Sequence, residues 1–314
     1  EQSLSRNVPV RRLSRDEAQA LEPHLADGIT QALELPSTGI ITPWEVAIAL
    51  TEEAVLNGTD LFLNHRVDAI ETLSAQAGPA GQAARPGAEE QAARPDGRFF
   101  RITARTPDGQ PHTFEARFVI DAAGVYADRI YAMVSPAQRD AATRRFTITP
   151  RKGEYFVLDH EDAPLVSRVI YPVPSEKGKG VLLIPTIHNN LLIGPNSDFV
   201  DDKDDVGNTA EALSYVREQI GKTAKDIPFH KVIRNFSGLR PTGDTGDFIV
   251  EEAADVPGFI LAAAIESPGL TAAPAISEYI VRTLLAPKLT LTPRAGYRRR
   301  RPFLSLKNMT PAQY

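Results

Sequence analysis

Twice in this chain an apolar strand runs into small residues and then turns into a helix. The first case is "RFVIDAAGVYAD" (Arg117–Asp128). The second is "GFILAAAIESPGLTAAPAI" (Gly258–Ile276), where a Pro-Gly turn precedes Thr271 and an alanine-rich helix. Strand–turn–helix units are the building blocks of α/β sheets, and ligands of such sheets bind at the carboxyl ends of the strands. Ala122, Ala123 and Gly124 have too little side chain to keep a flat ligand from the backbone. Alone, the first segment reads more readily as an ordinary tight crossover. The second offers free N–H groups at a helix start to something electron-rich.

Between these units the chain changes character. From "FTITPRKGEYFVLD" (Phe146–Asp159) to "NNLLIGPNS" (Asn189–Ser197) it reads as antiparallel sheet with Pro-rich turns. The fold class expected is therefore mixed α/β (α+β), with a nucleotide-type domain and an inserted sheet domain. Helices are predicted at Ser14–Leu25, with Ser14 and Glu17 as a capping box, and at Thr42–Gly58, with Thr42 and Glu45 in those roles. A third is predicted at Thr209–Lys222, with Ala212, Leu213, Val216 and Ile220 on its apolar face. A fourth runs from Thr271 to about Leu285. "TDLFLNHRVDAIETL", "RFFRITART" and "HTFEARFVIDAAG" read as strands. Residues 75–97 lose periodicity, contain "QAARP" twice, and read as a disordered insertion.

Composition narrows the chemistry. No cysteine occurs among the 314 residues, which excludes disulfides, thiolate catalysis and cysteine-ligated metal sites within them. No metal site is expected. A net charge of −5 gives no global attraction to nucleic acid. No apolar run approaches the roughly 18–20 residues of a membrane span.

Five stretches in order, "VIDAAGVYAD", "PRKGEYFVLD", "IPTIHNNLLIGPNS", "FSGLRPTGDTGDFIVEE" and "IESPGLTAAPAI", resemble the FAD-dependent oxidoreductases of the D-amino-acid-oxidase superfamily. Within it they are most similar to the glycerol-3-phosphate dehydrogenase and L-2-hydroxyglutarate dehydrogenase branch. The resemblance covers most of residues 1–285. It implies FAD as cofactor, with Gly269, Leu270 and Thr271 against the flavin ring and Ala122, Ala123 and Gly124 beside it. It also implies that the backbone of Val67 holds the adenine, although the sequence alone reads Val67 as a buried strand valine. An incomplete FAD-binding Rossmann-like domain is then expected at 41–145 and 243–286. An antiparallel-sheet substrate domain is expected at 1–40 and 146–242, with 287–314 as linker. The family opens with a G-x-G-x-x-G turn on the pyrophosphate, and none occurs here; Gly178 and Gly180 sit in a charged turn. Residue 1 reads as lying after that segment, and the tail as stopping short of an iron–sulfur domain.

Arg240 matches the family arginine that grips a substrate carboxylate or phosphate, a role suited to a planar guanidinium. Tyr155 is a candidate for a hydroxyl hydrogen bond. His188 is a candidate for proton transfer, or is a polar loop residue. Arg151 and Lys152 either add positive field or mark an exposed strand start. Where the best-known glycerol-3-phosphate dehydrogenases carry Gly-Gly-Lys-Leu-Thr, this chain has Ser267-Pro268-Gly269-Leu270-Thr271. Losing that lysine points toward a 2-hydroxy acid. Asn189 stands where glycine is commoner.

The expected activity is an FAD-dependent dehydrogenase taking hydride from a small anionic 2-hydroxy acid or a glycerol-3-phosphate-like substrate. The electron acceptor would be a protein or a quinone. An amine or amino-acid oxidase, or a non-catalytic remnant that no longer binds FAD, stand as alternatives. The run "YRRRRP" reads as a solvated linker or as a contact for an anionic membrane surface. The expected location is cytoplasmic, soluble or peripheral to the membrane.

Overall fold

The computed structural model describes residues 8–74, 97–159, 165–174, 180–298 and Thr310. The expected insertion (apart from Gly97), Gly178 and the arginines from residue 299 onward lie outside the described residues. The first elements are β1 (Arg11–Ser14), α1 (Arg15–Leu21), β2 (Gln31–Glu34) and α2 (Pro43–Leu56). Then come β3 (Arg66–Ser74), β4 (Arg98–Arg105), β5 (Pro111–Ala116), β6 (Val119–Asp121), α3 (Ala127–Val134) and α4 (Pro136–Arg139). β7 (Ile148–Leu158), β8 (Leu182–Pro185), β9 (Leu191–Gly194), β10 (Asp198–Phe199) and α5 (Ala210–Ile220) follow. The last are β11 (Val232–Gly243), β12 (Ile249–Glu252), β13 (Phe259–Ala263) and α6 (Gly269–Tyr279). They form two compact units, Glu1–Ile41 with Val119–Ala273, and Thr42–Phe118 with Pro274–Tyr314.

The first unit is built on a long antiparallel pair, β7 with β11, extended by β9, β8 and β10. Alternation along β7 puts Lys152 and Glu154 on one face and Arg151, Gly153 and Tyr155 on the other. The apolar face predicted for α5 buries Ala212, Val216 and Ile220. Val216 and Ile220 share a core with Leu158, Leu183, Leu191 and Ile193. The start of α5 is fixed twice. The Thr209 hydroxyl accepts the Ala212 N–H at 3.2 Å, and buried Glu154 accepts the Thr209 N–H at 2.7 Å. A carboxylate at that end also meets the positive pole of the helix.

A second sheet has the order β12-β13-β6, with β13 antiparallel to β12 and parallel to β6. All five residues of β13 are buried, as its unbroken apolar sequence requires. α3 packs on it through Tyr131, whose ring stacks on Phe146 and Phe259 at 5.9 and 5.8 Å. In α1 the Ser14–Glu17 capping box is formed.

In the second unit β3, β4 and β5 form a meander. The run His112–Gly124 is thus divided: β5 lies in this unit and β6 in the other. The strand expected from Thr59 begins at Arg66. α2 has Pro43 at its first position, and Gly58 follows it in the left-handed region (φ 92°). The capping box expected at Thr42 is not built; its side chain makes no cap hydrogen bond. Pro43 has no N–H to satisfy, which lowers the need for one. Beyond residue 287 the described chain is fastened to the end of α2. Asn57 Nδ2 donates to Arg298 O, and Arg298 N–H to Asn57 Oδ1, both at 2.9 Å.

Candidate functional site

Because β6 and β13 run parallel, their carboxyl ends lie at one edge of the sheet. After β6 comes Asp121-Ala122-Ala123-Gly124. The Asp121 Oδ1 atom accepts the Ala123 N–H at 3.1 Å, while Oδ2 is buried with no partner among the described residues. Burial pushes this carboxyl up to about 7, the Ala123 bond pulls it down, and nearby Asp128 adds to the rise. Gly124 has φ 58°, which a glycine adopts without strain. The turn Gly124–Tyr126 packs on β7 and β11. Buried Lys203 holds it in place, donating to Val125 O and Asp128 Oδ1, both at 2.6 Å.

After β13 the chain turns through Ala264 (φ 54°) to the start of α6. A Cβ on buried Gly269 would stand 2.5 Å from Ile265 Cγ2, so only glycine fits. Its N–H is taken by Glu266 O at 2.6 Å, and the helical ladder starts with Ala272 N–H to Pro268 O. The N–H groups of Leu270 and Thr271 precede that ladder, at the positive end of the helix. Two strand-end turns thus meet at one edge, one with close-approach residues and one with helix-start donors.

The face of β7 and β11 that bears Arg151 and Tyr155 completes the arrangement. Register pairs are Arg151 with Arg240, Gly153 with Gly238, and Tyr155 with Phe236. The Tyr155 and Phe236 rings stack at 4.8 Å. Two facing glycines therefore separate an arginine pair from an aromatic pair. Arg240 and Pro195 fill the space over Gly153, and the space over Gly238 is open. The Arg240 Nε–H goes to Arg151 O at 3.1 Å, and Nη2 donates to Lys152 O at 3.1 Å and Asn196 O at 3.0 Å. Among the described residues Nη1 makes no such bond. A Cβ on Gly153 would collide with Pro195 and Arg240, whereas one on Gly238 meets open space. Burial and the adjacent Arg151 press the Arg240 pKa down, while Tyr155, Glu266 and Asp198 support its charge. Burial raises the Tyr155 phenol, which keeps it protonated as a hydrogen-bond donor.

The structure thus brings Ala122, Ala123, Gly124, Gly269, Leu270, Thr271, Arg240 and Tyr155 into one unit, on elements that touch. Val67 is in the other unit, half-buried on β3 at a bulge opposite Ala104. His188 is exposed in the β8–β9 turn, which closes beyond the Leu158–Leu191 pair. That is about 20 Å along β7 from Arg151, at roughly 3.3 Å per residue. Asn189 in the same turn has φ 65°, a conformation asparagine and glycine share. Sequence reasoning missed Asp121, Lys203, Asn196 and Glu266. Only Asp121 carried a signal, as a charge closing an apolar strand.

These residues fit a flat cofactor in part. The orphaned buried Asp121 oxygen, the Gly124 turn and the Gly269 helix start suit the ring system of FAD. The pyrophosphate has no G-x-G-x-x-G turn among the 314 residues. No group of three or more potential metal ligands occurs among the described residues. No described helix is long and apolar enough to cross a membrane.

Comparison with known proteins agrees. The chain is 38% identical over 285 residues to a glycerol 3-phosphate dehydrogenase of Caloramator mitchellensis, covering 90% of this chain and 52% of the relative. It is 26% identical over 201 residues to human mitochondrial L-2-hydroxyglutarate dehydrogenase, covering 63% of this chain and 38% of that one. Among solved structures it matches the dithionite-reduced L-alpha-glycerophosphate oxidase of Mycoplasma pneumoniae with FAD bound. There the TM-score is 0.76 at 26% identity, over 94% of this chain and 69% of that one. The chain thus spans about half the length of its Caloramator relative. The family model for DAO, FAD dependent oxidoreductase, matches residues 1–283. Over residues 1–283 this chain belongs to the FAD dependent oxidoreductase family.

Proposed function

We propose that this chain carries the substrate site and part of the cofactor site of an FAD-dependent dehydrogenase acting on a small hydroxy compound with an anionic group. The observation that carries the reading is the open space over Gly238, on the face that bears Arg240 and Tyr155, with the Gly124 turn packed on the same strands and the turn before Gly269 tied to them through Glu266. In this reading Arg240 Nη1 holds the anionic group, and the Tyr155 hydroxyl donates to the substrate oxygen. The turns at Ala122–Gly124 and Gly269–Thr271 exclude water on the cofactor side and hold the ring. The Val67 backbone serves the adenine. FAD, when bound, supplies the hydride acceptor. His188 has no part, because its turn lies at the other end of β7. Cofactor contacts are assigned to 41–145 and 243–286, substrate contacts to 1–40 and 146–242, and a linker to 287–314. An acceptor protein or quinone would reoxidise the flavin. A cytoplasmic location fits, with the arginine-rich tail suited to an anionic membrane surface.

The test is anaerobic. FAD is titrated into the purified chain, and glycerol 3-phosphate, 2-hydroxyglutarate or glycine is then added. Weak FAD binding is expected, with bleaching of the flavin's visible absorption by a hydroxy anion and not by glycine. Failure to bind FAD, or faster bleaching by the amino acid, would overturn the reading.

A further inference from the structure

We propose that Arg151 is a second anion-binding residue of this site, and that Glu266 is the resident carboxylate an anionic ligand displaces from it. The inference rests on reading the β7–β11 face as the substrate site.

Arg151 and Arg240 stand directly opposite each other on the antiparallel ladder. Cα atoms of such partners are about 4.5–5.5 Å apart, and like charges in that position repel. Asp198 supports the charge of Arg240, and one carboxylate, Glu266, bonds directly to Arg151. Arg151 Nη2 donates to Glu266 Oε2 at 2.5 Å, and the Thr242 hydroxyl donates to the same oxygen at 3.0 Å. The fork of Arg151 is not filled by this contact. Its Nε is buried and has no partner among the described residues. A guanidinium binds an oxyanion best through two parallel bonds, and Glu266 supplies Arg151 with only one.

Glu266 is placed to leave. Its side chain is partly exposed, on the turn that opens α6. The backbone of that turn is held independently, by Glu266 N–H to Ala264 O at 3.2 Å and Gly269 N–H to Glu266 O at 2.6 Å. The carboxylate can therefore swing into solvent while the turn stays. A ligand oxyanion could then reach Arg240 Nη1 and the Arg151 Nε edge together.

Exchange of one carboxylate for a monoanion changes little in charge. A dianion puts two negative charges against two guanidinium groups and so gains most. The ligand class is a small dianionic hydroxy compound, whether its charge resides on a phosphate or on two carboxylates.

Calorimetry on the purified chain tests this with inorganic phosphate, glutarate and acetate as probes. The first two distinguish phosphate from dicarboxylate, and acetate is the monoanion. Both dianions are expected to bind more tightly than acetate. Glu266→Gln should tighten dianion binding about 5- to 10-fold, and Arg151→Gln should weaken it about 10-fold, the scale of one charged hydrogen bond. The double variant should show no tightening. Thr242→Val, which loosens Glu266 without changing charge, should tighten binding about 2-fold by the same reasoning. A purely structural ion pair would lower the melting temperature of Glu266→Gln without raising anion affinity. The proposal is overturned if Glu266→Gln and Thr242→Val bind dianions no tighter than the parent, or if none of these proteins binds phosphate or glutarate. Affinities that respond as stated in a chain that oxidises no hydroxy anion would sink the dehydrogenase reading alone.

Discussion

At Asp121 the fold holds a carboxyl group where water cannot reach one of its oxygens. Its pKa of about 7 lies above the roughly 3.9 of an unfolded aspartate. The folded chain therefore binds this proton more tightly than the unfolded chain. The associated stability is fully present below about pH 4 and is lost as pH rises through about 7. At about 1.4 kcal/mol per unit, the cost is about 4 kcal/mol at most. Asp121→Asn keeps an acceptor for the Ala123 N–H and removes the charge. Its melting temperature should exceed the parent's at pH 8, with the gap closing toward pH 4. Melting curves across that range decide it, and a gap that does not change with pH would show that Asp121 stays ionised. Arg240 bonds to three carbonyls, so under the proposed function it has two duties at once. Arg240→Ala should lower kcat/KM on a hydroxy anion by about 10- to 200-fold, from the loss of a charged hydrogen bond. It should also lower the melting temperature. Arg240→Lys should recover little of either, because an ammonium cannot reach three carbonyls and a ligand from one plane. FAD content should be unchanged. Equal loss of flavin and activity would refute the assignment to substrate.

At the scale of elements, the β7–β11 pair combines tight packing with open space. Gly153→Ala must push aside Pro195 Cβ, 2.8 Å from the added carbon, and Arg240 Nη2 at 3.0 Å. Overpacking of this kind costs about 1–3 kcal/mol. Gly238→Ala, directly opposite, meets nothing within 4 Å and should leave the melting temperature nearly unchanged while narrowing the open space and weakening anion binding. If the two alanines destabilise equally, the cradle is not shaped as described. The β3–β4 hairpin makes a different point. Ser74 pairs with Arg98, so the chain leaves and re-enters the ladder at neighbouring positions. Replacing residues 75–96 with Asn-Gly should preserve the unit, because a short turn spans that gap and loop length changes closure entropy only slightly. A clear fall in melting temperature or solubility would show otherwise.

At the scale of the whole molecule, the second unit exposes apolar surface on α2. No residue of α2 is buried, and Trp44, Ile48 and Leu50 are 63%, 55% and 61% exposed. Trp44 is the only tryptophan, so its fluorescence reports on this surface alone. Emission like that of free tryptophan in water, with full access to acrylamide, is expected at low concentration. Blue-shifted, protected emission at high dilution would contradict it. As concentration rises, such a surface favours association.

Local signals determined much of this chain. Ser14 and Glu17 are three residues apart and formed their capping box. The apolar period of Ala212, Val216 and Ile220 set the buried face of α5, and the apolar run of β13 foretold complete burial. At Thr42 the same kind of signal failed, because Pro43 altered the need for a cap. The strand-end turn at Ala122–Gly124 and the helix start at Gly269–Thr271 were legible because small residues at a strand end and helix-start donors are properties of short segments. Arg240 and Tyr155 were singled out through the family resemblance, but how the residues of their face stand against one another was not legible. Arg240 and Arg151 are 89 residues apart in sequence, and only the register of β7 with β11 sets them opposite each other. The same register leaves Gly153 facing Gly238. Glu266 reaches Arg151 only because the parallel pair of β6 and β13 delivers its turn to that edge. The distance of His188 from Arg240 follows likewise from where the β8–β9 turn closes. Periodicity and capping act within a few residues. Register depends on how all the strands of a sheet bury their faces together, and that is settled only when the tertiary structure forms.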